Sequence, residues 1–230
     1  MYFSDNNVQY RVSKYDLSTG QYTELWTYTG DDRVDVFGEN TGKVDSMSDG
    51  SYVRMDSNGN FYIMTSSTGN NNDTLIKVNF DKNTSEVIYT TDMEKLYSLQ
   101  SDGEYLYFFE STQSRETKSY FTAIDMNGTL KAQYEMEYDE EFLEKAKKYY
   151  ETFPEDTSVV VDASGICVYG IDERYILMGS NSDSDVYKNL KSLNSKPSKK
   201  VITTGIGVIN KMDYLNSGTA SIKQIYQNLS

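Results

Sequence analysis

Residues 51–91 decide the fold, and they read SYVRMDSNGNFYIMTSSTGNNNDTLIKVNFDKNTSEVIYTT. Four runs rich in β-branched and aromatic residues alternate with short segments of Asn, Asp, Gly and Ser, which favour turns. The alternation predicts strands at 52–55, 60–66, 74–80 and 86–90, joined by tight turns and one polar loop. The stretch is therefore predicted to form one four-stranded antiparallel unit.

The same pattern recurs along the chain. Gly103 follows Gly59 by 44 residues at the first turn, and repeats of this length with four strands are typical of propeller blades. The third strand and its turn recur at 14–20, 77–83, 123–128 and 211–218. We predict an all-β fold, a β-propeller of about four four-stranded antiparallel blades or part of a larger propeller. The expected blades are 1–30, 48–92, 96–138 and 158–228, within one domain or propeller segment, 1–230.

Four segments carry more specific expectations. The residues Phe142, Ala146, Tyr149 and Phe153 recur at helical spacing, so one inserted helix is predicted near 139–153. A short extended piece is expected at 34–37, and residues 206–215 are expected to form one strand of the last blade. Residues 2–4 also have a strand pattern with no partner strand before it, which favours a longer natural chain with a leader that is not included here.

Two short motifs carry a family resemblance. Residues 56–63 (DSNGNFYI), followed by 75–78 (LIKV), resemble blades of the NHL and SMP-30-like β-propellers. Residues 105–108 (YLYF) with 124–128 (IDMNG) resemble TolB-like propeller repeats in surface lipoproteins of Gram-positive bacteria. The resemblance implies a propeller and, through the lipoproteins, a bacterial cell-surface setting. Lactonases of the SMP-30-like group hold calcium near the propeller axis, although none of those ligands is matched here.

Composition narrows the chemistry. The net charge of −13 disfavours nucleic acid and anionic membrane surfaces as partners, and no apolar run is long enough to span a bilayer. The chain has no His and only Cys167, which removes Ser-His-Asp catalysis, a disulfide and the usual zinc sites. We therefore assign no catalytic residue, no metal ligand and no cofactor, with calcium the one ion left open.

Long connections are expected to gather at one end of the blades. In a four-stranded meander the first-to-second and third-to-fourth turns share one end, and here they are short. The second-to-third and blade-to-blade connections share the other end and contain the long segments, where binding groups usually lie. The candidate binding residues there are Asn70, Asn71, Asp73, Arg115, Glu116, Tyr149, Asp183, Asp185 and Tyr187.

Three functions compete. The favoured one is a non-catalytic binding module, extracellular or at the cell surface, whose long-loop end binds a protein or a carbohydrate; a cytoplasmic location stays open. The second is a propeller enzyme, either a glycoside hydrolase or a calcium-dependent lactonase. The third is a structural propeller segment of a larger protein.

Overall fold

The computed structural model describes residues 7–31, 35–38, 41, 53–66, 72–112, 118–135, 148, 151–152, 166–181, 203–217 and 223–229. Fourteen strands and one helix with full bounds lie in these ranges. The strands are β1 Asn7–Asp16, β2 Gln21–Asp31, β3 Val53–Met55, β4 Asn60–Ser66, β5 Asp73–Asn79, β6 Thr84–Thr90, β7 Lys95–Ser101, β8 Tyr105–Ser111, β9 Ser119–Asp125, β10 Leu130–Glu135, β11 Ile166–Ile171, β12 Tyr175–Asn181, β13 Thr203–Asn210 and β14 Lys223–Leu229. The helix α1 is Lys211–Ser217.

The strands form four antiparallel sheets in sequence order. Sheet 1 is the hairpin β1–β2, and sheets 2, 3 and 4 are the four-stranded meanders β3–β6, β7–β10 and β11–β14. The all-β fold built from about four antiparallel sheets of the propeller-blade type is thereby confirmed. The chain divides into two compact units, 1–92 and 93–230. The predicted single domain and its blade boundaries stay predictions.

The first unit has an aromatic core between sheets 1 and 2. Trp26 of β2 packs against Phe37 and Phe80, with ring centroids 4.9 and 5.4 Å away. Ile63 and Ile76 of the central strands β4 and β5 are fully buried beneath these rings. The hairpin therefore buries one face against sheet 2, as a sheet that is apolar on one face must.

The second unit is held by packing of sheet 3 on sheet 4. The first strands of the two sheets, β7 and β11, are linked by hydrogen bonds through Val168. Its N–H donates to Ser98 Oγ (3.3 Å), and its carbonyl accepts from Gln100 Nε2 (3.1 Å). Large side chains from both sheets form one buried cluster that includes Phe109, Phe121, Ile176 and Met178. Each sheet thus covers an apolar face of the other, as stacked blades do.

An Asp or Asn ends the last strand but one of every sheet and organises the connection that follows. Asp16 Oδ1 accepts from the N–H of Ser18 at 2.8 Å, and Asp125 Oδ1 accepts from Asn127 at 2.9 Å. The corresponding acceptors are Asn79 Oδ1 for the N–H of Lys82 and Asn210 Oδ1 for the N–H of Asp213. These short side chains satisfy backbone donors that the strand no longer pairs.

The predicted strand at 206–215 is wrong in its second half. β13 ends at Asn210, which caps the helix α1, because its Oδ1 accepts the N–H of Asp213 at 3.1 Å. The repeat position in the last sheet is therefore Asn210, three residues earlier than the sequence alignment placed it. The connection between β13 and β14, the third and fourth strands of sheet 4, contains this helix. It is therefore not the short turn that the sequence predicts.

The structure also tests the predictions for residues 34–37 and for the helix near 139–153. Residues 36–37 form a turn, so the extended piece expected at 34–37 is wrong at these residues, while Val34 lies outside the described residues. Of the helix predicted near 139–153, the described residues Lys148, Glu151 and Thr152 are helical, and the rest lies outside the described residues, as do 2–4. In the part of the chain that the structure describes, no helix is long and apolar enough to cross a bilayer.

Candidate functional site

The end of sheet 2 where β4 leads into β5 is buried but polar. Thr65, Ser66, Asp73 and Thr74 lie at this end with exposed fractions of 3, 7, 8 and 5%. The hydroxyls of Thr65 and Thr74 are 2.6 Å apart, and Thr65 Oγ1 donates to the carbonyl of Thr41 at 2.6 Å. A run of hydroxyls and a carboxylate thus occupies strand positions that elsewhere in this sheet are apolar.

The neighbouring strand β6 joins this polar end. The N–H of Thr91 donates to the carbonyl of Asp73 at 3.2 Å, and Asn72 Nδ2 donates to the carbonyl of Thr91 at 3.0 Å. The side chain of Asn72 therefore holds the first residues of β5 against the end of β6. We call Thr65, Ser66, Asp73, Thr74 and Thr91 the polar end of sheet 2.

Sheet 3 has a corresponding polar end, formed by Glu110, Ser111, Ser119 and Thr122, each at most 1% exposed. The carboxylate of Glu110 on β8 accepts a hydrogen bond from Thr122 Oγ1 on β9 and another from Gln133 Nε2 on β10, the latter at 3.0 Å. A carboxyl group buried this deeply is costly unless hydrogen bonds satisfy it. The sheet therefore contributes donors from two further strands to hold this carboxylate.

Ser111 is the exception in this polar end. Its Oγ is buried, and no described group lies within hydrogen-bond distance of it. An unsatisfied buried hydroxyl costs about 1–3 kcal/mol, which makes such groups rare in folded proteins. Ser111 is the last residue of β8, so this unsatisfied hydroxyl belongs to the polar end of sheet 3.

The opposite ends of the same sheets are satisfied internally. Asp56 begins the β3–β4 turn, accepts from the N–H of Asn60 at 2.9 Å and also accepts from the hydroxyl of Tyr62 at 3.1 Å. Asp102 does the same in sheet 3, where Tyr107 donates to it at 2.9 Å and Lys211 Nζ lies 3.2 Å away. These carboxylates are turn elements, not open binding groups.

The electrostatics agree with this role. Burial alone would raise the pKa of Asp102, but donors from Tyr105, Glu104, Tyr107 and Lys211 outweigh it, so the pKa lies below the ordinary value. Burial first, and then the charge of Asp102, raises the pKa of Tyr107. Asp102 is therefore charged and Tyr107 is neutral at neutral pH.

Only Asp73 of the nine predicted site residues is described. The sequence predicts it in a loop, but it is the first residue of β5 and is buried. Eight candidates lie outside the described residues: Asn70, Asn71, Arg115, Glu116, Tyr149, Asp183, Asp185 and Tyr187. In the described part of the chain, no group of three Asp, Glu, His or Cys side chains could hold a metal ion.

The remaining polar-end residues were not anticipated from the sequence. Glu110 carries the one available signal, because it follows Phe108 and Phe109 within a strand, where a charged residue interrupts an apolar run. Thr65 and Thr74 carry no such signal, since Thr is equally common on exposed strand faces.

No protein-family model and no curated protein matches the chain. Among solved structures, it is similar to the β-propeller domain of the trilobed protease from Pyrococcus furiosus, with a TM-score of 0.48 and 9% identity over 98% of this chain and 55% of that one. It is also similar to an acylaminoacyl peptidase in complex with Z-Gly-Gly-Phe-chloromethyl ketone (TM-score 0.43, 11% identity) and to the Pyrococcus horikoshii acylaminoacyl peptidase (0.43, 12%), each over 96% of this chain and 31% of that one.

The chain thus spans about half the length of the first of these structures and about a third of the other two. At these identities and TM-scores the likeness carries no argument about activity. The fold assignment rests instead on the order and packing of the sheets, and the site rests on the residues themselves.

Proposed function

We propose that this chain is a non-catalytic binding module that takes a protein or carbohydrate ligand at the second-to-third-strand end of its sheets. The observation that carries the proposal is the concentration of buried hydroxyls and carboxylates at the polar ends of sheets 2 and 3. Polar groups held on strands at the end of a sheet are suited to hydrogen-bonding a ligand.

The opposite end supports the assignment by contrast. There, Asp56, Asp102 and Asp125 are saturated by turn N–H groups and by Tyr or Lys side chains, so they have little left to offer a ligand. The two ends of sheets 2 and 3 therefore differ in chemistry: one stabilises tight turns, and the other concentrates buried hydroxyl and carboxyl groups.

The proposal includes a location and a partner class. The likeness of 105–108 and 124–128 to TolB-like repeats of surface lipoproteins favours an extracellular or cell-surface setting. The net charge of −13 attracts basic protein surfaces, repels anionic polymers and does not disfavour neutral glycans. No cofactor and no catalytic step is part of the proposal.

Two substitutions, one at the start of β5 and one in the turn after it, test the proposal. The full chain is first screened on an array of oligosaccharides and an array of extracellular proteins, and ligands found are measured by titration calorimetry. Asp73→Asn keeps the shape of the buried side chain and removes its charge at the polar end of β5. Asp81→Asn makes the same change in the exposed turn just after β5 and is the matched control.

We expect Asp73→Asn to weaken binding about tenfold or more, since a hydrogen bond to a charged group contributes about 1.5–3 kcal/mol, and Asp81→Asn to leave affinity unchanged. Thermal unfolding of both variants confirms that they are folded. Equal affinities for wild type and Asp73→Asn, or no ligand on either array, would refute the proposal.

A further inference from the structure

A separate pocket of about 270 Å³ lies in the first unit, between β2 and the β5–β6 turn. It is lined by the rings of Trp26, Phe37 and Phe80, and its rim includes Asn83, Thr84 and Ser85. The turn that forms this rim joins the third and fourth strands, so the pocket is at the opposite end of sheet 2 from Asp73. It is not part of the binding end proposed above.

The aromatic wall is rigid. Trp26 and Phe37 are stacked with an interplanar angle of 24°, and Phe80 packs edge-to-face with Phe61, with ring centroids 4.9 Å apart. Phe37 and Phe80 are at most 9% exposed. Trp26 is the one of the three rings that is partly exposed, so it is the aromatic surface that a ligand can reach. An aromatic face attracts the slightly positive C–H groups of a ligand.

The rim is shaped by specific backbone contacts. Ser85 Oγ donates to the carbonyl of Phe37 and ties the turn segment 36–38 to β6. Asn79 is occupied on both sides, because its Nδ2 donates to Asn60 Oδ1 and its Oδ1 accepts from the N–H of Lys82. Asn83 is different: it adopts a positive φ of 51°, a conformation that non-glycine residues seldom take, and its side chain is exposed at the rim.

The pocket is uncharged in a strongly charged protein. A quarter of the residues are charged and the net charge is −13, yet none of the described residues that line the pocket carries a charge. An ionic ligand would find no counter-ion there. A fully apolar ligand would make no use of the amide of Asn83 and the hydroxyl of Thr84.

We propose that this pocket binds a single pyranose ring of a neutral carbohydrate. The C–H face of the ring would lie against the aromatic wall, and its hydroxyls would exchange hydrogen bonds with Asn83 and Thr84, whose groups act as both donors and acceptors. The volume suits one ring rather than a longer chain, since it falls just below the roughly 300–1,000 Å³ range of pockets for larger ligands.

Trp26 gives the test a direct signal because it is the only tryptophan in the chain. The emission of the full chain is titrated with glucose, galactose, mannose and N-acetylglucosamine, and in parallel with anionic glucuronate and with benzyl alcohol. We expect a saturable change in emission with at least one neutral sugar and a weaker or absent response to the other two probes.

Substitutions then locate the site. Asn83→Gly removes the amide and retains the positive φ, since glycine adopts it freely, and we expect it to weaken sugar binding about threefold to tenfold. Asn58→Gly, at an exposed position in the β3–β4 turn of the same sheet, is the matched control and should bind as wild type does. Asp73→Asn should also leave this titration unchanged.

Three results would overturn the inference: no saturable response to any neutral sugar, a response to benzyl alcohol alone, or equal sugar affinity of Asn83→Gly and wild type. If sugar binding is lost in Asp73→Asn and kept in Asn83→Gly, this inference fails while the proposed function stands. If the arrays yield no ligand but a neutral sugar still changes the Trp26 emission, the proposed function fails and the inference about this pocket stands.

Discussion

Glycine residues in the tight turns are required for backbone reasons. Gly20, Gly59, Gly103 and Gly128 all have positive φ, between 70° and 91°. In each of these turns, the carboxylate of an Asp that precedes the Gly accepts backbone N–H groups. In such turns the Asp supplies the acceptor and the Gly supplies the left-handed conformation. The pairing of these two residue types is what made the turns predictable from sequence.

Substituting two glycines separates backbone strain from crowding. A Cβ added at Gly103 or at Gly170 meets no heavy atom within 4 Å, but only Gly103 has a positive φ, of 91°. We expect Gly103→Ala to lower the free energy of unfolding by about 1 kcal/mol and Gly170→Ala to be neutral or slightly stabilising. Urea denaturation of both variants measures this, and an equal cost at the two positions would show that the turn geometry is misassigned.

The ion pair of Asp102 with Lys211 predicts a specific pH dependence. Hydrogen bonds outweigh the effect of burial and lower the folded-state pKa of Asp102 below its ordinary value of 3.8. Its stabilisation is therefore present above the pKa of the unfolded chain and is lost as the pH falls through the folded-state pKa. Other turn carboxylates titrate similarly, so the comparison must be between variants.

At pH 7 we expect Asp102→Asn to lower the free energy of unfolding by about 2 kcal/mol, because Tyr107 and the largely buried Lys211 lose a charged partner. The difference from wild type should shrink as the pH falls below 3.8 and Asp102 of the wild type becomes protonated. Chemical denaturation at several pH values checks this; a difference that stays constant, or grows in acid, would contradict it.

At the scale of elements, α1 joins sheet 4 to sheet 3. Tyr214 is fully buried, stacks on Phe121 with centroids 5.0 Å apart and donates its hydroxyl to the carbonyl of Phe121 at 2.7 Å. The N–H of Lys211 also donates to the carbonyl of Arg174, which anchors the start of the helix to sheet 4. A connection that would otherwise be a turn therefore supplies core packing between two sheets.

Two substitutions at Tyr214 measure that role. Tyr214→Phe removes only the hydroxyl and should cost about 1 kcal/mol, whereas Tyr214→Ala also empties the ring site and should cost about 3–5 kcal/mol. Thermal and urea unfolding give both values. Near-identical small costs would mean that α1 is not part of the core of the second unit.

The limits of sequence analysis are clearest in this element. Residues 211–214 (KMDY) match 77–80 (KVNF) in residue type, so the repeat pattern predicted a strand there. Instead, Asn210 caps a helix that begins at Lys211. The helix is stabilised by the buried contact of Tyr214 with sheet 3, and a tertiary contact of this kind is not visible in the local sequence pattern. In contrast, β4 was predicted with both of its bounds, because turn residues flank a continuous apolar run.

At the scale of the whole molecule, the repeated sheets explain where binding groups can lie. The sequence predicted which connections are long, but not that Thr65, Thr74 and Glu110 are buried beside them, since burial of a polar strand residue depends on packing. The predicted enzyme and the structural propeller segment stay alternatives to the binding module. They differ from it in one observable respect: neither requires a ligand at the polar ends.

Hydrogen–deuterium exchange of the full chain, with and without the ligand found on the arrays, tests the central claim most directly. The account predicts that the ligand slows amide exchange at the polar end of sheet 2, in 63–66 and 72–76, or at that of sheet 3, in 108–112 and 118–122, and leaves the tight turns at 56–60, 102–105 and 125–129 unchanged. Protection confined to those tight turns, with the polar ends exchanging as in the free protein, would contradict it.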